Sequence, residues 1–132
     1  MKTLFLSIFL FICTISNAQE VKWGTEFLNI KTYNDSLQQF NEWEGWKECY
    51  VVIIADFPNA KIEIFSIYKQ QYIIINITGQ FDEETKSVLQ IDGIDRFGSK
   101  CTLELLHFFD SEKDQIYIRW SNLEIVYQMK KL

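Results

Sequence analysis

His107 is the only histidine in this chain, and Cys13, Cys49 and Cys101 are its three cysteines. A single imidazole excludes a histidine-rich metal site, and a two-cysteine, two-histidine zinc site is impossible. A Cys101–His107 nucleophilic pair fails on reach, because six residues of strand span roughly 20 Å. Cys49 is not limited in this way, but a reactive thiol needs an electropositive surround that an acidic chain does not advertise. The carboxylates fall in three groups: Glu42, Glu44 and Glu48; Asp82, Glu83 and Glu84; Asp92 and Asp95. Glycoside hydrolysis needs two carboxylates facing each other across a cleft. Asp92 and Asp95 lack the ligand spacing of a calcium-binding loop. Ordinary solvated turns account for all three groups, and His107 is expected at a strand end near a rim. No residue set assembles a catalytic centre, so the expectation is a protein that is not an enzyme and has no cofactor and no metal.

Four tryptophans and six tyrosines make a high aromatic load. Aromatics stack sugars or bury lipid tails in some exported domains, but they also pair across strands and fill cores. Trp120 sits in a strand and is assigned to the core. Trp43 and Trp46 flank Gly45 in a polar stretch and suit either role.

The elements that must position these residues are strands. Two β-branched runs, Cys49–Ala55 and Ile62–Ile67, flank Asp56-Phe57-Pro58-Asn59-Ala60-Lys61. Pro58 is pre-set for the second position of a tight turn and Asn59 tolerates the tight dihedrals after it, which predicts a β-hairpin. Further strands are expected at Val21–Tyr33, Gln71–Thr78, Lys86–Ile91, Lys100–Phe109, Gln115–Trp120 and Leu123–Met129. Asn34-Asp35-Ser36 offers cap chemistry for one or two helical turns over Leu37–Trp43, where Leu37, Phe40 and Trp43 recur at helical spacing. Asp92-Gly93 is expected to open a turn that Gly98 closes. About eight strands with short connections predict an all-β, antiparallel up-and-down sheet. Such a sheet removes its edges by closing into a barrel or flattening into a sandwich, and the barrel is favoured.

Two strands are apolar on both faces. Cys49, Val51, Ile53 and Ala55 share one side of the first, with Tyr50, Val52 and Ile54 on the other; Tyr72 and Ile74 oppose Ile73, Ile75 and Ile77 in the second. A barrel wall needs only its inner face apolar. The second face therefore calls for a cover: the Leu37–Trp43 segment, a partner or a ligand. The candidate partner surface is Trp43, Trp46, Tyr50, Val52, Ile54, Tyr72 and Ile74.

Residues 1–18, with Lys2, an apolar run from Leu4 to Ile15 and the ending Ser16-Asn17-Ala18, have the layout of a secretory signal cleaved before Gln19. The run is too short for a comfortable membrane span. Leu10-Phe11-Ile12-Cys13 faintly resembles a lipobox, but Ile12 is bulky where that motif wants a small residue. Gln19–Leu132 is then a single all-β domain in an exported, periplasmic or extracellular protein. Setting Lys2 aside leaves 12 basic residues against 18 acidic, a charge of −6 that repels nucleic acid and anionic lipid. Asn34-Asp35-Ser36 and Asn76-Ile77-Thr78 fit the N-glycosylation sequon, but Asn76 lies within a predicted strand, a poor acceptor site.

The C-terminal third carries Ile91-Asp92-Gly93, then Asp95-Arg96-Phe97-Gly98-Ser99-Lys100-Cys101, then Gln115-Ile116-Tyr117-Ile118-Arg119-Trp120-Ser121-Asn122 and Val126-Tyr127. In these it resembles small exported all-β proteins of Gram-negative bacteria with no assigned activity. The resemblance implies location and fold and brings no functional residues. In an oxidising compartment Cys49 and Cys101 are expected to pair, provided the barrel is flattened enough for their strands to meet. The leading expectation is a non-enzymatic domain that binds another protein, an inhibitor of a secreted enzyme being one such role. The alternative is a lipocalin-like carrier with a small apolar ligand inside the barrel.

Overall fold

The turn over Asp56–Lys61 forms as its residues dictate. Ala60 N–H donates to Phe57 O at 3.0 Å, with Pro58 and Asn59 between them, and Asp56 Oδ1 accepts from Asn59 N–H at 3.2 Å. The left-handed residue of this turn is Ala60, at φ 53°, one position after Asn59. A computed structural model describes residues 20–132. Residues 1–18, expected as the export signal, lie outside the described residues.

The described chain forms ten strands: β1 (Val21–Asn34), β2 (Gln39–Phe40), β3 (Lys47–Glu48), β4 (Val52–Asp56), β5 (Lys61–Phe65), β6 (Gln70–Asp82), β7 (Lys86–Asp95), β8 (Lys100–Phe108), β9 (Lys113–Arg119) and β10 (Leu123–Lys131). Antiparallel pairing runs β1-β4-β5-β6-β7-β8-β9-β10, and β10 returns to β1 with Trp23 opposite Lys131 and Thr32 opposite Leu123. The protein is an all-β, closed eight-stranded antiparallel barrel with two additional short strands. Among the described residues there is no helix, and none long and apolar enough to cross a membrane.

The helical turns expected over Leu37–Trp43 are not there. Residues 39–56 instead run back along β1 as one irregular strand broken into β2, β3 and β4. Bonds from Asn41 N–H to Thr32 O, Glu44 N–H to Ile30 O and Cys49 N–H to Glu26 O fill the intervals. The helical spacing of three apolar residues loses to these backbone bonds, since a short amphipathic turn has little stability of its own. Thr25 secures the break before β4, its hydroxyl donating to Cys49 O and accepting from Val51 N–H.

Asp92-Gly93 is not a turn either. It lies inside β7, which continues to Asp95, and the turn is Arg96–Ser99 with Gly98 at φ 84°. Gly93 is needed for close approach: a Cβ there would sit 2.7 Å from Leu103 Cδ1 and 3.2 Å from Ile73 O.

Alternation puts Ile53, Ile62, Ile64, Leu89, Ile91, Leu103, Leu105, Ile116, Ile118 and Met129 on the barrel axis, all at most 2 % exposed. No void large enough for water borders side chains with so little accessible surface. The axis is packed solid.

The strands are staggered round the barrel. From Trp23, inward-facing partners lead through Ile53 and Ile64 to Gln70 on β6. The other way, from neighbouring Thr25, they lead through Met129, Asp114, His107 and Ser87 to Asp82 on the same strand. This stagger is the shear that a tilted barrel requires. Because β5 is short, it covers β6 only over Gln70–Ile73, with one more bond from Ile74 N–H to Ala60 O. Beyond that point β6 pairs only with β7 among the described residues, and its register shifts near Ile75 and Thr78.

Candidate functional site

The residues with chemical potential are used structurally. At one end of the barrel, His107 Nδ1 lies 2.8 Å from Asp114 Oδ1, and Asp114 Oδ2 accepts the indole N–H of Trp23 at 2.9 Å. Ser87, next to His107 across β7 and β8, is buried and donates to Asp82 Oδ1 at 2.6 Å. His107 is at a strand end, but Asp114 belongs to β9, not to the polar turn its neighbours suggest. Asp92 and Glu124 border one groove on the outer wall, separated by the Thr102 and Arg119 positions. Three strand spacings put them about 14 Å apart, beyond the roughly 9.5 Å limit for a glycosidic carboxylate pair. Asp95 is occupied by its turn: its carboxylate accepts from Phe97 N–H, Ser99 N–H and Trp120 Nε1.

Cys49 and Cys101 are free thiols. The expected bridge is not formed, and the closed barrel explains why. Cys101 is on β8; Cys49 leads into β4, four strands away in either direction. Opposite walls of an eight-stranded barrel stand about 15 Å apart, against the roughly 4.4–6.8 Å between Cα atoms that a disulfide requires. Burial, then the negative charge of Asp95, pushes the Cys101 thiol up to about 11.

The mouth at the other end is a polar and aromatic cluster. Tyr72 Oη donates to Gln70 Oε1 at 2.5 Å, Gln70 Nε2 donates to Tyr127 Oη at 3.3 Å, and the Tyr72 and Trp120 rings lie 6.0 Å apart. Burial raises both phenol pKa values above the ordinary tyrosine value, and both hydroxyls act as hydrogen-bonding groups. Above this network is a cleft of about 260 Å³ bordered by Tyr68, Phe97, Trp120, Leu123 and Ile125. Trp120 also borders the groove on the outer wall, a space of about 670 Å³ between Ile75, Ile94, Lys100, Arg119 and Glu124. Trp120 thus packs against the core, half-buried, from between an outer groove and the mouth.

The predicted partner surface is divided by the fold. Trp46, Tyr50 and Val52 are exposed. Ile54 is half-buried. Trp43 lies edge-on to Tyr117 of β9 at 6.3 Å, with Lys31 over its ring. Its segment covers the outside of β1 and β10, where outward-facing Asn29 and Val126 are buried, and Asn29 Oδ1 accepts from Gly45 N–H. Tyr72 and Ile74 face inward: Tyr72 is 2 % exposed and Ile74 packs on the core. The exposed large apolar side chains of β6 are Ile73, Ile75, Ile77 and Phe81. The outer wall formed by β4, β5 and β6 therefore presents Val52 paired with Phe65, then Ile73 and Ile75, with Tyr50 just beyond. Sequence reasoning missed Phe65, although its alternation with Ile62 and Ile64 marked it as outward. Glu63 interrupts the wall between Lys69 at 2.6 Å and Lys61 at 3.3 Å.

No protein-family model, curated protein or solved structure matches the chain.

Proposed function

We propose that the chain is an exported binding domain that works without catalysis, and that its partner is another protein held against the wall of β4, β5 and β6. The observation that carries this reading is the exposure of Tyr50, Val52, Phe65, Ile73 and Ile75 on one side of the barrel. Glu63 and Gln71 lie between the Val52–Phe65 pair and Ile73, so the wall mixes exposed apolar and polar side chains, as non-obligate protein interfaces do. The non-catalytic part rests on the use of the reactive groups elsewhere: Asp114 engages His107 and Trp23, and the Cys101 thiol is held protonated. Export rests on the layout of residues 1–18 and on the resemblance to small exported proteins of Gram-negative bacteria.

The test is affinity capture from envelope extracts with the wild-type chain and with a Val52→Lys/Ile73→Lys variant. A protein retained by the wild type and lost with the variant supports the reading. Equal capture by both, or a wild type that retains nothing, sinks it.

A second reading is supported by the cleft at the mouth. Its aromatic lining and its 260 Å³ suit a small apolar ligand held at the rim. The packed axis leaves no chamber for the deep pocket of a lipocalin-like carrier. Native mass spectrometry of protein from its own host would distinguish a retained small molecule from a retained protein.

A further inference from the structure

Charge and apolar exposure are sorted between the two ends of this barrel. At the mouth, the neighbouring connections 66–69, 96–99 and 120–122 contain Lys69 and Arg96 and no acid, and Lys100 comes directly after the second. Asp95 precedes that connection, but its carboxylate is taken by three hydrogen bonds. The adjoining turn after β1 adds one acid, Asp35. At the opposite end, the connections 57–60, 83–85 and 109–112 hold Glu83, Glu84, Asp110 and Glu112, and they are followed directly by Lys61, Lys86 and Lys113. The three connections at the mouth are thus net basic.

The same basic end carries the most exposed apolar side chains. Ile67 is 96 %, Tyr68 84 % and Phe97 83 % exposed, each at the tip of a connection. Loop tips tolerate polar residues at no structural cost, so large apolar groups there are unexplained by folding. The cations are held beside them: Arg96 donates to Lys69 O at 2.9 Å and lies over the Phe97 ring at 5.2 Å. Lys69 lies over Phe65 at 5.0 Å while bridging to Glu63. Lys100 is exposed at the edge of the outer groove.

We propose that the barrel docks mouth-first on an anionic lipid surface, with Ile67, Tyr68 and Phe97 entering the headgroup layer and Lys69, Arg96 and Lys100 meeting the lipid phosphates. Apolar tips ringed by cations match the two attractions that hold a peripheral protein at a bilayer, apolar burial at the headgroup boundary and Coulombic attraction to anionic lipid. The net charge of −6 is opposed in this orientation by Lys69, Arg96 and Lys100, which would be the cations nearest the bilayer. The acidic connections stand at the far end of the barrel, and screening at physiological salt acts over about 8 Å. This surface adjoins the wall assigned to a protein partner where Lys69 lies over Phe65, but its apolar tips Ile67, Tyr68 and Phe97 are not part of that wall.

The experiment is co-sedimentation of the full chain with vesicles of phosphatidylglycerol and phosphatidylethanolamine, and with vesicles of phosphatidylcholine alone. The wild type is expected to favour the anionic vesicles, to lose binding as salt rises, and to lose about fivefold in affinity on Lys100→Gln. Ile67→Ser/Phe97→Ser, at exposed tips that no core contact depends on, is expected to lose at least tenfold. Leu132→Ser, an exposed apolar change elsewhere, is expected to leave binding unchanged. All variants keep residues 1–19, so any affinity contributed there is common to them. An indole introduced by Phe97→Trp should be quenched by brominated lipid more than one introduced by Leu132→Trp. Equal binding by the wild type and the double tip variant overturns the proposal, as does equal affinity for both vesicle types. So does capture on immobilised polyglutamate without vesicle binding, which would give the rim to an acidic protein instead.

Discussion

Trp23 Nε1 donates to Asp114 Oδ2 at 2.9 Å across 91 residues of chain, joining β1 to a carboxylate on β9. Both groups are buried, and the other carboxylate oxygen engages His107. Removing the acceptor leaves the indole N–H without a partner away from water. Asp114→Ala is expected to destabilise the barrel by about 2–3 kcal/mol, and Asp114→Asn by less, because the amide keeps one oxygen for Trp23. Urea denaturation monitored by tryptophan fluorescence measures both. An Asp114→Ala loss below about 0.5 kcal/mol would show that the bond contributes little.

Ala60 adopts φ 53° in the turn between β4 and β5. The left-handed region costs an L-residue about 1 kcal/mol or more, and glycine enters it freely. Ala60→Gly is expected to raise stability by about 0.5–1 kcal/mol, after allowing for the extra freedom glycine has when unfolded. A midpoint in urea that stays the same or falls would contradict this.

The hydrogen bond from Lys69 holds the Glu63 carboxyl below the usual glutamate range, against an opposing push from burial; Lys61 adds to the lowering. As acid is added, the unfolded chain takes up the proton first. The stabilising contribution is therefore complete above the ordinary glutamate value and is lost as pH falls through the lower folded value. Glu63→Gln should weaken the barrel at neutral pH and match the wild type well below about pH 4. Parallel stability curves at all pH values would exclude a role for this carboxylate.

In the folded protein Cys49, half-buried, should be alkylated before Cys101, whose thiol is buried and shifted to about 11. Only the thiolate reacts, so Cys101 should wait for unfolding. Peptide mapping after alkylation in denaturant without reductant should find both residues modified. A Cys49–Cys101 crosslinked peptide in that digest would refute the open separation of the two walls.

Much of the barrel was legible because each strand shows its alternation locally. Lys100–Phe108 places Cys101, Leu103, Leu105 and His107 on one face in sequence and in structure. The features hidden from the sequence depended on pairing between distant residues. The inward face of β6 is set by Tyr72 lying opposite Asp95 on β7, and an equally apolar set of neighbours gave no local sign of it. Gly93 looks like a turn residue until Leu103 is placed against it. Asp114 looks solvated until Trp23 reaches it. The spacing around Leu37–Trp43 suggested a helix because the backbone partners on β1 precede it by a variable interval that no period records. At the mouth, Ile67 read as the end of a strand run that stops at Phe65, and the convergence of Ile67, Tyr68 and Phe97 with Lys69 and Arg96 required connections distant in the chain to meet at one end.

The seam between β1 and β10 bears on how the molecule is made. Every other join in the barrel wall links segments close to one another in the chain, whereas Trp23 waits for Lys131 and Thr32 for Leu123. The loop that this seam closes is nearly the whole chain, and closing distant strands is slow compared with forming hairpins. During synthesis β1 can gain its first neighbour from residues 39–56, while its other edge stays open until the last strand has emerged. In that interval the nascent protein is a curved sheet with two unpaired margins, one bearing Trp23 and the other, once made, bearing Met129. A second chain caught at the same stage offers an identical margin, so exchange of β10 between two molecules is the misassembly this topology invites.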